Sequence, residues 1–248
     1  MPPRQSGRNG DLHLPLQDRH DPAAYLRSYV GTFLREEVRQ EALVRNIGNF
    51  GRFLEAASFS QAAQLSMQAV ATDCGLPAKT VQSHFELLED LLLAVRLPVF
   101  TRRAQRALAQ HPKFYLFDAG VYRAIRPRGP LDSPAEIEGA ALETLLLQEI
   151  LAHNSAANLG YRLHYWRTRA GLEVDFVAYG ERGLLAFEVK RADKVRPSDL
   201  AGLRALQQDY PMAKPWLIYG GAVRYVVDGV QVVPFEDAVR ELGGWLAG

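Results

Sequence analysis

Asp175 stands in the run Val174 to Tyr179, and Glu188 and Lys190 close the run Leu184 to Val189. Both runs are apolar and β-prone, and Gly180 and Gly183 bound a short turn, so residues 171–190 are expected to form two strands of a hairpin. Period-two alternation then sends Glu188 and Lys190 to one face, with Val189 between them on the other. A carboxylate and a lysine side by side at the end of an apolar strand are costly to bury unless they bind something. The chemistry that uses such a set is metal-assisted hydrolysis of a phosphodiester. Two carboxylates on neighbouring strands, Asp175 and Glu188, can hold a hard cation such as Mg²⁺ or Mn²⁺ and leave positions for water and phosphate. Lys190 would orient or help deprotonate the attacking water, or offset charge on the phosphate. The plainer alternative is an exposed hairpin whose charges face water.

Asp175 followed after a turn by Glu188-Val189-Lys190 resembles the PD-(D/E)xK nuclease core, with Val174 in place of the proline. That resemblance implies one more carboxylate from a helix ahead of the two strands. Ser133, Pro134 and Glu136 make a good helix start, and the segment from Pro134 to His153 carries Glu138, Glu143 and Glu149. Glu143, among Leu142, Leu146 and Leu147, matches the family glutamate; Glu149 competes with it.

The elements that must position these residues follow from the rest of the chain. Its 248 residues are 48% hydrophobic and 23% charged, an ordinary globular composition with room for one large or two small domains. A net charge of +1 gives no global basic field, so nucleic-acid binding would have to come from local patches. The single Cys74 excludes an internal disulfide framework and fits a reducing compartment, expected to be the cytoplasm. No apolar run is long enough for a membrane span. Residues 1–20 read as a flexible tail. A helix is expected from Asp21-Pro22, with Tyr25, Leu26, Tyr29, Phe33, Leu34 and Val38 at helical spacing, and a second through Val44, Ile47, Phe50, Phe53 and Leu54.

Met67 to Cys74, the turn Gly75-Leu76-Pro77, and Ala78 to Leu88 resemble a helix-turn-helix, and Ala94 to Phe100 with Lys113 to Asp118 look like the strands of a wing. Together they suggest a winged helix. Lys79, Thr80, Gln82 and Ser83 would then form the exposed face of a recognition helix, with Arg102, Arg103 and Arg106 on the wing loop. Contact with protein rather than DNA remains open, since only one of those four helix residues is charged. Arg162, Arg167 and Arg169 ahead of Asp175, and Arg191, Lys194 and Arg196 after Lys190, are the local basic patches that could neutralise a nucleic-acid backbone. A helix over 197–209, with Gln207 or Gln208 near the site, a strand over 214–219, an Asp228-Gly229 hairpin and a helix over 235–246 complete the chain. His84, His111, His153 and His164 are too scattered for zinc and are expected at the surface or as caps.

The succession of these motifs over residues 21–248 resembles the C-terminal part of prokaryotic AAA-type ATPases, a winged helix followed by a restriction-endonuclease-like domain of unknown function, number 4143. The resemblance implies an α/β protein: a helical winged-helix domain over 21–125 and a PD-(D/E)xK nuclease-like domain over 126–248, a mixed β-sheet flanked by helices. Nothing matches Gly-x-x-x-x-Gly-Lys-Ser/Thr, so no intrinsic ATP hydrolysis is expected, and the chain reads as a truncated or split relative that a separate ATPase chain could complete. The expected function is a nucleic-acid-binding, Mg²⁺-dependent nuclease, acting on DNA in the first instance. The rival is a non-catalytic DNA- or protein-binding adaptor that keeps the fold.

Overall fold

The computed structural model describes Tyr25, Leu26, Ser28, Val30 and residues 46–130 and 132–248. The expected tail over 1–20, the Asp21-Pro22 helix start, and Tyr29, Phe33, Leu34, Val38 and Val44 lie outside the described residues. Among those described there are seven α-helices, one three-stranded sheet and one six-stranded sheet.

The first unit begins with α1 (Ile47–Ser58), whose N-terminus is capped by the Asn46 side chain accepting from the Asn49 N–H. Helix α2 (Met67–Cys74) is capped by Ser66 and ends at Gly75, whose φ of 65° turns the chain into α3 (Ala78–Asp90). Strands β1 (Ala63–Gln64), β2 (Ala94–Leu97) and β3 (Lys113–Leu116) pair antiparallel in the order β1-β3-β2. Rings of Phe50, Phe53, Phe85 and Phe114 meet at centroid distances of 5.7, 4.8 and 5.0 Å and fill the core. His84 belongs to that core. Contrary to the expectation of a surface or capping histidine, it is buried, 5.2 Å from the Phe50 ring and 5.1 Å from the Phe53 ring, and burial lowers its pKa.

Helix α4 (Ala119–Ile125), capped by Asp118, leads to α5 (Pro134–Ala156), which starts on Ser133 and Pro134 as their residue types predict. Helix α5 serves two cores: Ile137 and Ala141 join the first, whereas Leu146, Leu147 and Ile150 lie under the larger sheet. Strand β3 is shared in the same way. Phe114 and Leu116 face the first core, while Tyr115 enters the second.

The larger sheet has the order β4-β5-β6-β7-β9-β8. It consists of β4 (Arg162–Arg167), β5 (Glu173–Gly180), β6 (Gly183–Lys190), β7 (Lys214–Tyr219), β8 (Tyr225–Val227) and β9 (Val230–Pro234). The pairs β6·β7 and β7·β9 are parallel and the rest antiparallel. Helix α6 (Ala201–Asp209), entered through a 3₁₀ turn at Pro197–Leu200, covers one face with Leu203 and Leu206; the expected single helix over 197–209 is thus two pieces. Helices α5 and α7 (Phe235–Ala247) cover the other face, where Phe187, Trp216 and Trp245 stack. Asp228 and Gly229, with φ of 50° and 80°, make the expected hairpin turn.

Two departures matter for the site. The connection from β2 to β3 does not stand free as a wing loop. It docks on the larger sheet through bridges Val99 to Tyr165 and Leu108 to Thr168, an Arg106–Asp209 ion pair of 2.8 Å, and the Tyr210 hydroxyl donating to the Arg102 carbonyl. Arg102 and Arg106 contact the C-terminal unit while remaining exposed, as Arg103 is. Second, β5 carries a bulge. His164 pairs with Val177 and Trp166 with Val174, so Tyr165 opposes both Asp175 and Phe176. Val174 and Phe176, two apart, consequently enter different cores.

The start of β5 is also held by a close approach. A Cβ on Gly202 would stand 1.8 Å from the Glu173 carbonyl oxygen, and one on Gly220 would stand 2.2 Å from the Arg191 carbonyl oxygen, just beyond Lys190. Gly202→Ala should therefore destabilise the protein by about 1–3 kcal/mol through overpacking against backbone. Gly244→Ala, in α7 with nothing within 4 Å, should stabilise it by up to about 1 kcal/mol. Urea unfolding midpoints of the two variants against wild type measure both, and equal midpoints for the two would refute the close approach.

Candidate functional site

The bulge turns Asp175 into a junction between elements that are remote in sequence. Its Oδ2 accepts the Val189 N–H of β6 at 2.9 Å, and its Oδ1 accepts from Lys113 Nζ of β3 at 2.9 Å. Lys113 in turn reaches Glu143 of α5 at 3.6 Å and Glu173 of β5, which also pairs with Arg167. The Tyr115 hydroxyl donates to Glu143 Oε2 at 3.0 Å. At the end of β6, Lys190 donates to Glu188 Oε1 at 2.6 Å, as expected for two residues on one side of a strand. Glu188 Oε2 is buried with no hydrogen-bond partner. Lys113, Asp175 and Glu188 are only 2%, 4% and 6% exposed, which makes these charges part of the interior.

Of the residues singled out by sequence, Asp175, Glu188, Lys190 and Glu143 meet in one electrostatic cluster. Glu149 lies off it, 4.0 Å from His153. Gln207 reaches the Ala213 carbonyl and Gln208 accepts from Arg106, so neither joins the site. Lys79, Gln82 and Ser83 are exposed and Thr80 is half-buried on α3, with Gln82 donating to Glu86 at 2.9 Å. Arg169 and Arg191 are exposed, and Arg167 is half-buried. Sequence reading missed Lys113, Tyr115 and Glu173. A lysine opening an otherwise apolar Phe-Tyr-Leu-Phe run was the available signal for the first of these.

Burial sets the protonation states. It pushes Asp175 up, but Lys113, Lys190 and the Val189 N–H outweigh it and hold Asp175 below the usual carboxylate range. Glu143 is raised to about 8, by burial first and then by the Asp175 charge, against the pull of Lys113 and Tyr115. Burial and Asp175 likewise raise Glu188 well above its ordinary value, although Lys190 opposes them. Burial disfavours the ammonium of Lys113, yet Asp175 and the other carboxylates keep it charged. The cluster thus holds one carboxylate kept ionised and two pushed above their ordinary range, a separation that marks functional sites more often than passive cores.

A recess of about 530 Å³ opens beside the cluster, lined by Gln64, His111, Arg167 and Arg169 among others. A second, of about 230 Å³, is lined by Arg123, Glu138, Leu142 and Arg191. Among the described residues no three carboxylate, histidine or cysteine ligands converge tightly enough to hold an ion in this arrangement. The donor chemistry nonetheless fits a hard divalent cation: all-oxygen ligands, one of them ionised, and a buried carboxylate oxygen left without a partner.

Residues 138–238 match the family model of DUF4143, a domain of unknown function, and residues 14–132 match that of DUF8612, also a domain of unknown function. The first match covers Glu143, Asp175, Glu188 and Lys190, and the second covers Lys113 and Tyr115. No curated protein and no solved structure matches the chain. No helix among the described residues is long and apolar enough to cross a membrane.

In metal-free protein the Glu143 carboxyl should titrate near pH 8. Tyr115→Phe should move that midpoint up, because the lost hydrogen bond favoured the ionised form; Asp175→Asn should move it down, because the neighbouring negative charge is gone. Carboxyl ¹³C chemical shifts against pH measure all three, and a Glu143 midpoint in the ordinary range below 5 would refute the cluster.

Proposed function

We propose that this chain is a nucleic-acid-binding, Mg²⁺-dependent phosphodiesterase of the nuclease class. The observation that carries the reading is the buried, unpartnered Glu188 Oε2 beside the ionised Asp175 and the charged Lys190. Leaving such an oxygen unpaired costs about 1–3 kcal/mol, which a ligand would recover. Asp175 and Glu188 would hold the cation, with Glu143 supporting them. When bound, the cation would polarise a phosphoryl oxygen and lower the pKa of a bound water.

The chain's own groups supply the rest. Lys190 has its ammonium on Glu188, where it can orient the attacking water or neutralise the phosphate. Asp175 keeps its charge through Lys113, Lys190 and the Val189 N–H. Arg167 and Arg169 line the recess next to Glu173 and suit the flanking phosphates, and Arg191 lines the second recess. The succession α5, β4, β5, β6, α6, β7, with β6 and β7 parallel, supports a PD-(D/E)xK core. The succession α1, β1, α2, α3, β2, β3, with sheet order β1-β3-β2, supports a winged helix, whose Lys79, Thr80, Gln82 and Ser83 would reach DNA. A separate ATPase chain as partner rests on the family resemblance alone.

One observation favours a second reading, a non-catalytic adaptor: Lys113 fills the carboxylate cluster and ties the two units together. Incubation of purified protein with single-stranded DNA, double-stranded DNA and RNA in Mg²⁺ or Mn²⁺ separates the two. The nuclease reading expects cleavage that falls at least about a hundredfold in Glu188→Ala and in Lys190→Ala. Absence of metal-dependent cleavage of every substrate favours the adaptor.

Metal affinity should also depend on pH in a fixed direction. Glu143 and Glu188 must lose protons to serve as ligands, and both are raised by burial, Glu143 to about 8. Mn²⁺ affinity should therefore rise from about pH 6 to about pH 9, with proton release on binding, as calorimetry in buffers of different ionisation enthalpy would record. A pH-independent affinity would remove these two carboxyls from the ligand set.

A further inference from the structure

Lys113 is the one cation that the small sheet of the first unit contributes to the cluster, beside the Tyr115 hydroxyl. Period-two alternation in β3 leaves Phe114 and Leu116 in the first core and sends Lys113 across to the carboxylates. Its side chain is 3% exposed, and its ammonium meets Asp175 at 2.9 Å, Glu143 at 3.6 Å and Glu173. Three donors thus face three carboxylates, and nothing of the ammonium is left for solvent. Both oxygens of Asp175 are held, Oδ1 by Lys113 and Oδ2 by the Val189 N–H. Glu188 Oε2, by contrast, is buried and unpartnered, an independent sign that the same cluster lacks a ligand.

We infer that Lys113 is a tethered cation that competes with the divalent metal: its ammonium fills the space among Asp175, Glu143 and Glu173, and metal loads when the lysine leaves. The inference rests on the metal-site reading above. A hard cation needs oxygen ligands at about 2.0–2.6 Å in a regular shell, and no such shell can close around Asp175 while an ammonium occupies one of its oxygens and repels the ion. Lysine suits this part because it is a compact charge on a flexible stem. Its backbone belongs to β3, so seating of the first unit on the larger sheet and loading of the metal oppose each other. The lysine holds the site closed while the units are seated as they are here.

Mn²⁺ binding to the full chain, read from the electron paramagnetic resonance signal of free Mn²⁺, tests this without reference to activity. Lys113→Met and Lys113→Gln should each bind Mn²⁺ at least about tenfold more tightly than wild type, and addition of Asp175→Asn should abolish the gain. In the wild-type chain, Mn²⁺ should also speed acetylation of Lys113 by acetic anhydride, followed by peptide mass spectrometry, because displacement exposes the amine. This second readout stands even where the variants fold poorly. Equal or weaker Mn²⁺ affinity in the Lys113 variants, or unchanged acetylation of Lys113 under saturating Mn²⁺, overturns the competition while leaving the metal site intact. No Mn²⁺ binding by any form overturns the metal reading itself, and the competition with it.

Discussion

A buried ammonium–carboxylate contact between Lys113 and Asp175, 62 residues apart in sequence, governs how this chain can fold. Each ion loses several kcal/mol of hydration on burial, and the contact recovers it only if the remaining donors and lone pairs are also met. The fold meets them from four directions: Glu143 from α5, Glu173 from β5, the Val189 N–H from β6, and Lys113 itself from β3. Displacing any one of these elements leaves a charge stranded. Breaking a buried pair by loss of one partner typically costs about 3–5 kcal/mol, a large part of a domain's total stability. The contact therefore ties the placement of the two units to the geometry of this one cluster.

The local irregularities of the larger sheet follow from that demand. A regular β5 would continue the ladder with β6 past Phe176 and Phe187, where the strand pairing in fact stops toward the site. The bulge at Asp175 and Phe176 interrupts the ladder, and the Asp175 carboxylate takes over the Val189 N–H. Gly202 and Gly220 let α6 and the end of β7 press onto the backbone on either side, at Glu173 and Arg191. Tyr115 anchors the opposite edge through Glu143, and Gln61 braces the same turn of α5 by donating to Thr144 at 2.6 Å while accepting from the Leu116 N–H at 2.8 Å. The cluster sits at a seam where strand, helix and the first unit are each locked by a polar contact.

Much of this was legible in the sequence, for physical reasons that also explain what was not. Asp175, Glu188 and Lys190 stood out because charges interrupting apolar β-runs violate the hydrophobic pattern, and Glu143 because it lies on the apolar side of a well-capped helix. Lys113 broke the pattern in the same way, but a lysine at a strand's first position is ordinarily solvated, and only tertiary contact distinguishes the buried case. Glu173, at the first position of β5, is of a type that is ordinarily solvated there too. The bulge has no one-dimensional signature, since both alternations around it remain apolar. His84 was misjudged because a neutral imidazole packs as an aromatic ring among phenylalanines, where residue type alone suggests a polar surface role. The arginines of the β2–β3 connection suggested a wing directed at nucleic acid, yet Asp209 and the Tyr210 hydroxyl hold that connection against the sheet.

Charge accounting clarifies what the cluster is prepared to exchange. Asp175 is kept ionised by Lys113 and Lys190, whereas burial and the Asp175 charge raise Glu143 and Glu188 against the pull of those same ammoniums. Protons given up by such raised carboxyls would offset charge that a cation brings into a low-dielectric site. Lys113 opposes a metal locally, because its ammonium stands where oxygens from β5 and α5 face one another and would repel the ion there. An arrangement built only to join two units would have no reason to leave Glu188 Oε2 buried and unpaired beside Lys190, since a serine or an apolar residue there would spare the desolvation. That oxygen is the feature for which seating of the two units offers no account and ligand binding does.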